Sequence, residues 1–409
     1  MNKHVLLISY YFPPTQGIGT VRPEGTAKYL EKLGYKVTVL TITAENSAYI
    51  EKYNTLRVPC PQFLRATKQK GFINKIKRFF ERQFKDILFF PDDRCKWIEP
   101  AVKAASELIE KERPCAIISS SSPYTVHVIA HKLKEKFNIP WIADLRDPWS
   151  QTIYYDHSFW RRPIDALYEL KILGTADVLT VISDGQKDFL QKLHKTKNIK
   201  AVTNGFDPEK VPTVSVELDK KLSILFAGTF YLKYQKPELF FEALGELIAE
   251  GLIDDNKIEV NIYTGYYEEI QKLINNAKLE KVAKQFGRVD HETILQKQRS
   301  AQVLWLCNLE LNKDNFGCLP GKMYEYLTMK RPILLVGGDK NDELSRRLKE
   351  TGVSYVAHTK NEVKSSLLDM YKEFEENGFI KYKGIPDIVN SYSHEKMAEK
   401  FASIIEEIQ

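Results

Sequence analysis

Short apolar runs alternate along this chain with stretches whose apolar positions recur every three or four residues. "HVLLIS", residues 4 to 9, reads as a buried strand. A glycine-containing loop follows, and then "TAKYLEKLG" places Ala27, Leu30 and Leu33 on one helical face before Gly34 stops the helix and "YKVTVLT" opens a second strand. The pattern predicts further strands at 116–118, 141–143, 178–182 and 201–203, with helices around 100–112, 125–137, 163–174 and 185–193. A second series starts at "SILFAG", residues 223 to 228, and continues through 260–265, 301–307 and 331–338. Helical stretches near 237–250, 267–275, 291–299, 321–330 and 341–350 separate its strands. Strands that alternate with crossover helices imply parallel sheets covered on both faces, so the fold class is α/β with two similar halves.

Between the halves, residues 206–221 combine prolines with a charged, weakly periodic pattern, the composition of a domain crossing. The division is therefore 1–205, a crossing at 206–221, and 222–390. Residues 391–409 form a terminal helix, with Ser393 as its cap and Met397, Phe401, Ile404 and Ile408 as its apolar stripe.

A chain of 409 residues with 43% apolar content buries far more than a minimal core, which excludes a small peptide-binding module. A net charge of +6 permits anionic ligands and does not call for nucleic acid. The run Val5–Ile8 is too short for a secretory core, and no later segment approaches the roughly 18 apolar residues of a membrane span. A cytoplasmic location follows as the expectation. Cys60, Cys95, Cys115, Cys307 and Cys318 are an odd and scattered set, expected to be reduced.

Open parallel sheets bind ligands beyond the carboxyl ends of their strands, and two such domains facing each other create a cleft. The loops after strands are thus the places for chemistry. In "YYFPPTQGIGT", residues 10 to 20, Gly17 and Gly19 either form an ordinary tight turn or let backbone amides approach a phosphate. The spacing of a nicotinamide-dinucleotide fingerprint is absent. In "GTFYLKYQK", residues 228 to 236, Lys233 and Lys236 are either solvated surface charges or cations for a departing diphosphate. "LPGKMYEYL", residues 319 to 327, sets Pro320 and Gly321 at a helix start, followed by Lys322 and Glu325. A lysine and a glutamate one turn apart suit phosphate and sugar hydroxyls, against the alternative of a solvent-facing pair. In "WIADLRDPWS", residues 141 to 150, Asp144 is a cap or an ion-pair partner of Arg146, and Asp147 is the stronger cleft acid. His127 and His131 lack a matching acidic or cysteine ligand, so no metal site is assigned.

Together "YYFPPTQGIGTVR", "SSSSPYTVHVIA", "IPWIADLRDPWS", "VTNGFD" and "LPGKMYEYLTMKRPIL" make the chain resemble bacterial glycosyltransferases of family four, enzymes of surface polysaccharide or glycolipid assembly. That resemblance implies the GT-B arrangement of two Rossmann-like domains. It implies a retaining, hexosyltransferase-like activity that moves a sugar from a nucleotide diphosphate sugar to a hydroxyl of a glycan or lipid-linked acceptor. By the same resemblance Gly17 and Gly19 approach donor phosphates, Arg146 or Asp147 occupies the active-site position, and the loop at Gly228 and Thr229 with Lys233 or Lys236 takes the diphosphate. Gly321 and Lys322 open the donor helix, and Glu325 holds the ribose. The first glutamate of the family's E-x7-E element is replaced here by Gly317, and the usual arginine after Gly228 by Thr229. No cofactor is implied beyond the donor, and a divalent metal is not expected to be essential. A nucleotide-sugar isomerase of the same architecture and a noncatalytic sugar-nucleotide-binding protein are the alternatives. The first changes free donor and the second changes nothing.

Residues 63–92 add a separate feature. Ile73, Ile76, Phe80, Phe84 and Ile87 form an apolar stripe flanked by Lys75, Lys77, Arg78, Arg82 and Lys85. Such a segment either lies on an anionic membrane at the cytoplasmic face or packs on its own domain with lysines reaching water.

Overall fold

The computed structural model describes residues 3–43, 50–61, 83, 86–152, 155, 157–211, 216–265, 267–310 and 319–409. Most of the stripe and basic flank of 63–92, from Ile73 through Lys85, lies outside the described residues, as do Gly317 and Cys318. Contacts divide the chain into two units, Met1–Asn204 with His394–Gln409, and Gly205–Ser393.

In the first unit, β1 (His4–Ile8), α1 (Ile18–Lys32), β2 (Lys36–Ile42) and β3 (Thr55–Val58) are followed by α2 (Ile98–Lys111), β4 (Ala116–Ser120), α3 (Thr125–Phe137) and β5 (Trp141–Leu145). Then come α4 (Arg161–Leu173), β6 (Val178–Val181), α5 (Asp184–Leu193) and β7 (Ile199–Ala201). Among the described residues the sheet order is β3-β2-β1-β4-β5-β6-β7, with every pairing parallel. Both faces are covered, and β1 shows why its run is apolar throughout. Leu6 and Ile8 enter one core with Trp97 and Trp141, while Val5 and Leu7 enter the other with Phe401 and Ile404. Strand side chains alternate, so a strand between two helical layers needs apolar residues at every position.

The second unit runs β8 (Leu222–Ala227), α6 (Glu238–Ala249), β9 (Ile258–Tyr263), α7 (Glu268–Asn276), β10 (Ala283–Phe286), α8 (His291–Ser300) and β11 (Val303–Cys307). It continues with α9 (Gly321–Thr328), β12 (Ile333–Val336), α10 (Glu343–Thr351), β13 (Ser354–Ala357), α11 (Lys360–Asn377) and α12 (Pro386–Asn390). Its sheet order, β10-β9-β8-β11-β12-β13, is again all parallel. Both sheets therefore wind outward in two directions from their first strand, the Rossmann-like pattern, and the winding reverses beside β1 and beside β8. The terminal helix α13 (His394–Ile408) packs on α1 in the first unit. A Cβ on Gly25 would lie 2.5 Å from the His394 ring, so this approach needs a glycine in α1.

Apolar packing reaches the site-bearing end of the second sheet. Trp305 stacks on Phe240 at 4.2 Å between centroids and meets Phe226 at 5.4 Å, while Phe226 stacks on Phe230 at 3.8 Å. Such pairs contribute about 0.5–1.5 kcal/mol each beyond area burial. They hold Phe226, the penultimate residue of β8, as a rigid floor.

Candidate functional site

Beyond the carboxyl ends of β8 and β9 lies a cavity of about 400 Å³, built wholly from the second unit. Ala227, Gly228 and Thr229 leave β8 along its wall, and Tyr263 and Thr264 end β9 beside them. Arg288 and Val289 follow β10, Ile294 and Gln298 come from α8, and Lys322 and Glu325 from α9. This is where a doubly wound sheet offers backbone amides and helix starts to a ligand.

Helix α9 begins at Gly321 after Pro320, whose extended backbone starts the helix but whose side chain caps nothing. Its position is set by Tyr326, whose buried hydroxyl accepts from the Ala227 N–H at 3.1 Å and ties the helix to the end of β8. The spacing of three residues then turns Lys322 and Glu325 toward the same cavity.

Lys322 lies back across Gly228, with its Nζ 4.4 Å from the Phe226 ring centroid. A Cβ on Gly228 would sit 2.0 Å from Lys322 Cε and Nζ, and the Gly228 φ of +125° is itself one that side chains rarely adopt. A ring contact of this kind is worth about 0.5–2 kcal/mol, which does not replace lost hydration. Burial accordingly pushes the Lys322 pKa down to about 8, opposed by Cys307 and Glu325. Among the described residues no carboxylate pairs with this ammonium.

Glu325 accepts one hydrogen bond, from Gln298 Nε2 to its Oε1 at 2.7 Å. Gln298 is fully buried, and its own Oε1 has no partner. Because the carboxylate must face the amide donor, the orientation of the Gln298 amide follows from Glu325. The second oxygen of Glu325 has no partner among the described residues, which leaves it able to accept from ligand hydroxyls. With Lys322 and Arg288 against Glu325, the lining carries one net positive charge when Lys322 is protonated.

The structure brings Gly228, Thr229, Lys322 and Glu325 together and leaves Lys233 and Lys236 outside the lining. Lys233 lies over the Tyr234 ring at 4.9 Å, and Lys236 Nζ is paired with Glu310 Oε2 at 2.7 Å. Gly321 supports the cavity only as the first residue of α9. The sequence reading missed Arg288 and Gln298. Each follows a weak signal, a short polar edge strand in one case and a polar helix face in the other.

Gly17, Gly19, Arg146 and Asp147 belong to the first unit. Gly17 precedes α1 with φ +125° and open space where a Cβ would stand. Arg146 donates to the Gly19 carbonyl at 2.9 Å, to the Ser122 carbonyl at 3.3 Å and to the Ser121 carbonyl, so it braces the glycine loop. The ion-pair partner of Asp144 is not Arg146 but Arg22. Arg22 Nη2 and Nε reach the two carboxylate oxygens at 2.7 and 2.9 Å, and Thr180 and Ser120 hydroxyls donate to the same group. Burial raises the Asp144 pKa, but the Arg22 charge and these bonds outweigh it and hold the carboxyl below its ordinary value. Asp147 keeps its side chain open to solvent, yet the protein crowding it lifts its pKa against the pull of Arg146.

His127 bonds Ser119 at 2.8 Å and His131 bonds Thr175 at 2.8 Å, separate structural contacts in the first unit. Among the described residues no group of three or more His, Cys, Asp or Glu side chains is arranged to hold a metal ion. Nor is any described helix long and apolar enough to cross a membrane.

Residues 24–210 match the family model described as Glycosyltransferase Family 4. No curated protein sequence matches the chain. Among solved structures, sucrose-phosphate synthase from Thermosynechococcus elongatus aligns over 99% of this chain and 98% of its own, with 13% identity and a TM-score of 0.63. A glycosyltransferase from Rickettsia africae aligns over 100% and 99%, with 15% identity and a TM-score of 0.62. An α,α-trehalose-phosphate synthase (UDP-forming) from Burkholderia vietnamiensis aligns over 100% and 99%, with 11% identity and a TM-score of 0.59. At these identities the likeness establishes the fold, which is GT-B. With that fold over the whole chain and a match to the family-four model over most of its first unit, the protein is a glycosyltransferase of GT-B fold, moving a sugar from a nucleotide diphosphate donor to an acceptor.

Proposed function

We propose that the cavity of the second unit takes the nucleotide diphosphate of the donor, and that a hexosyl group passes with retention to a glycan or lipid-linked acceptor at an anionic membrane surface. The observation that carries the donor assignment is the pairing of Lys322 and Glu325 in one lining, with Lys322 lying across Gly228 at the end of β8. In this reading the Lys322 ammonium and the Arg288 guanidinium neutralise the diphosphate, and the free Glu325 oxygen accepts from ribose hydroxyls. The leaving diphosphate is stabilised by these cations and by amides at the end of β8. Retention is assigned to same-face attack: the acceptor oxygen bonds the anomeric carbon as the bond to phosphate breaks, and a departing phosphate oxygen takes the acceptor proton. Asp147, solvent-facing and with its pKa raised by the surrounding protein against the pull of Arg146, orients the acceptor, with Arg146 bracing the loop beside it.

Calorimetry with a nucleoside, its monophosphate and its diphosphate tests the donor site. Lys322→Ala should weaken the diphosphate most, by about ten- to a hundredfold, the loss of one charge-assisted hydrogen bond. Glu325→Gln should weaken all three ligands evenly. Unchanged binding of all three by both folded variants would put the nucleotide elsewhere. Incubating nucleotide sugars with an envelope lipid extract, and reading the anomeric configuration of the product by NMR, tests acceptor and stereochemistry together.

A further inference from the structure

Helix α4 is inverted relative to an ordinary water-facing helix. It buries Arg161, Asp165 and Glu169 and exposes Ile164, Leu167 and Leu170, with Leu167 at 70%. The inward groups are engaged. Arg161 reaches the Asp86 carboxylate at 3.4 Å and the Pro91 carbonyl, Asp165 accepts from the Tyr155 hydroxyl at 2.6 Å, and Glu169 accepts from the Ser150 N–H at 2.9 Å and meets His194 at 3.1 Å. Buried ion pairs of this kind lock the rotation of a helix, because turning it would strand charges in the interior. The exposed leucines are therefore a built feature of the face.

The apolar surface extends beyond the helix. Phe159, just ahead of α4, is 89% exposed. Ile87 and Leu88 are exposed on the segment 86–91, which is tied to α4 by the Asp86–Arg161 pair and by Phe90 meeting Tyr168 at 4.5 Å between ring centroids. A cluster of large apolar side chains facing water marks an interaction site.

Charge selects the occupant. The exposed ionic residues of α4 are Arg162 and Lys171, since both of its carboxylates point inward. The sequence leading into this face, residues 62–85, carries eight lysines and arginines against one glutamate. A helix that exposes leucine and isoleucine together with charge of a single positive sign, Arg162 and Lys171, suits the interfacial region of an anionic bilayer. Two copies of it would repel one another.

We propose that this face of α4 docks on an anionic lipid bilayer, with Phe159, Ile164 and Leu167 entering the acyl boundary beside Ile87 and Leu88, and Arg162 and Lys171 meeting the phosphate headgroups. It rests on the membrane-surface reading above and gives that reading a place on the molecule. The test is sedimentation with vesicles of phosphatidylglycerol mixed into phosphatidylcholine, and with phosphatidylcholine alone. The double variant Ile164→Gln, Leu167→Gln should lower partitioning onto anionic vesicles by about tenfold or more. Arg162→Gln with Lys171→Gln should lower it by about fivefold per charge and flatten its dependence on salt. Unchanged circular dichroism and an unchanged thermal transition would show that both variants are folded, and unchanged nucleotide calorimetry would show that the donor cavity, in the other unit, is untouched. If the native protein shows no preference for anionic vesicles, the membrane reading and this face fall together. If it binds them and the glutamine variants bind as well, the face is wrong and the membrane reading stands. A dimer of the native protein that the Ile164, Leu167 variant abolishes would make the face a contact between copies and overturn the proposal.

Discussion

At the carboxyl end of β5, Asp144 accepts four hydrogen bonds from Arg22, Thr180 and Ser120. Beyond the carboxyl end of β8, by contrast, Lys322 has an aromatic ring for company and Glu325 a single amide donor. Both clusters sit where the sheet topology favours ligands, and both are made of charged residues. In the first the protein itself saturates the charges, which makes the cluster part of the framework. In the second the charges keep unused bonding capacity, which is what a binding site requires. Position in the fold nominates a charged residue, and the count of its partners decides between support and chemistry.

Removing Arg22 should break this contrast most severely. Arg22→Ala leaves the buried Asp144 carboxylate without its counter-charge and frees the carbonyls of Val202 and Thr203 that Arg22 also serves. The expected loss is about 3–5 kcal/mol of stability, read from urea denaturation. A loss near zero would mean that Asp144 is not a framework charge.

The next effect is one of pH. A diphosphate needs the protonated form of Lys322, whose pKa burial holds at about 8 in the free protein. Affinity should be complete below about 8 and fall by up to tenfold per pH unit above it, because binding then takes up a proton. Lys322→Arg, charged throughout this range, should bind with a flat profile, as should a nucleoside without phosphates. Titration calorimetry in buffers of different ionisation enthalpy reads the proton directly. A flat profile in the native protein would leave the diphosphate to Arg288.

The smallest effect concerns Gln298. Gln298→Leu removes the donor that orients Glu325 together with an amide oxygen that has no partner, so stability should change by less than about 1 kcal/mol. Nucleoside affinity should nevertheless fall by about three- to tenfold, the effect of losing one orienting hydrogen bond. Equal loss of stability and affinity would make Gln298 an ordinary core residue.

The central strands were legible because burial on both faces demands apolar runs: β1, β8 and β11 carry four or more apolar residues in succession, and β4 and β5 carry three before their first polar residue. The edge strands β3, β10 and β13 escaped detection. "TLRV", "AKQF" and "SYVA" are short and partly exposed, and an edge strand carries little hydrophobic signal. Helix α11 escaped as well, although Thr359 and Glu362 form a full capping box at its start, a signature visible in "TKNE". Of the candidate site, Lys322 and Glu325 could be read because one helix presents both. Arg288 and Gln298 could not, since they approach from other elements at distances along the chain that no local pattern encodes.

By itself the amino-acid order determined the alternation of strand and helix, the two halves and the loops in which chemistry would lie, because periodicity and chain breakers act over a few residues. Only the tertiary structure decided that Asp144 belongs to Arg22, that Lys322 rests over Gly228 and Phe226 with its ammonium unpaired by any described carboxylate, and that α4 faces water with its leucines. Burial and pairing depend on which distant residues meet, and those meetings arise from the packing of whole elements.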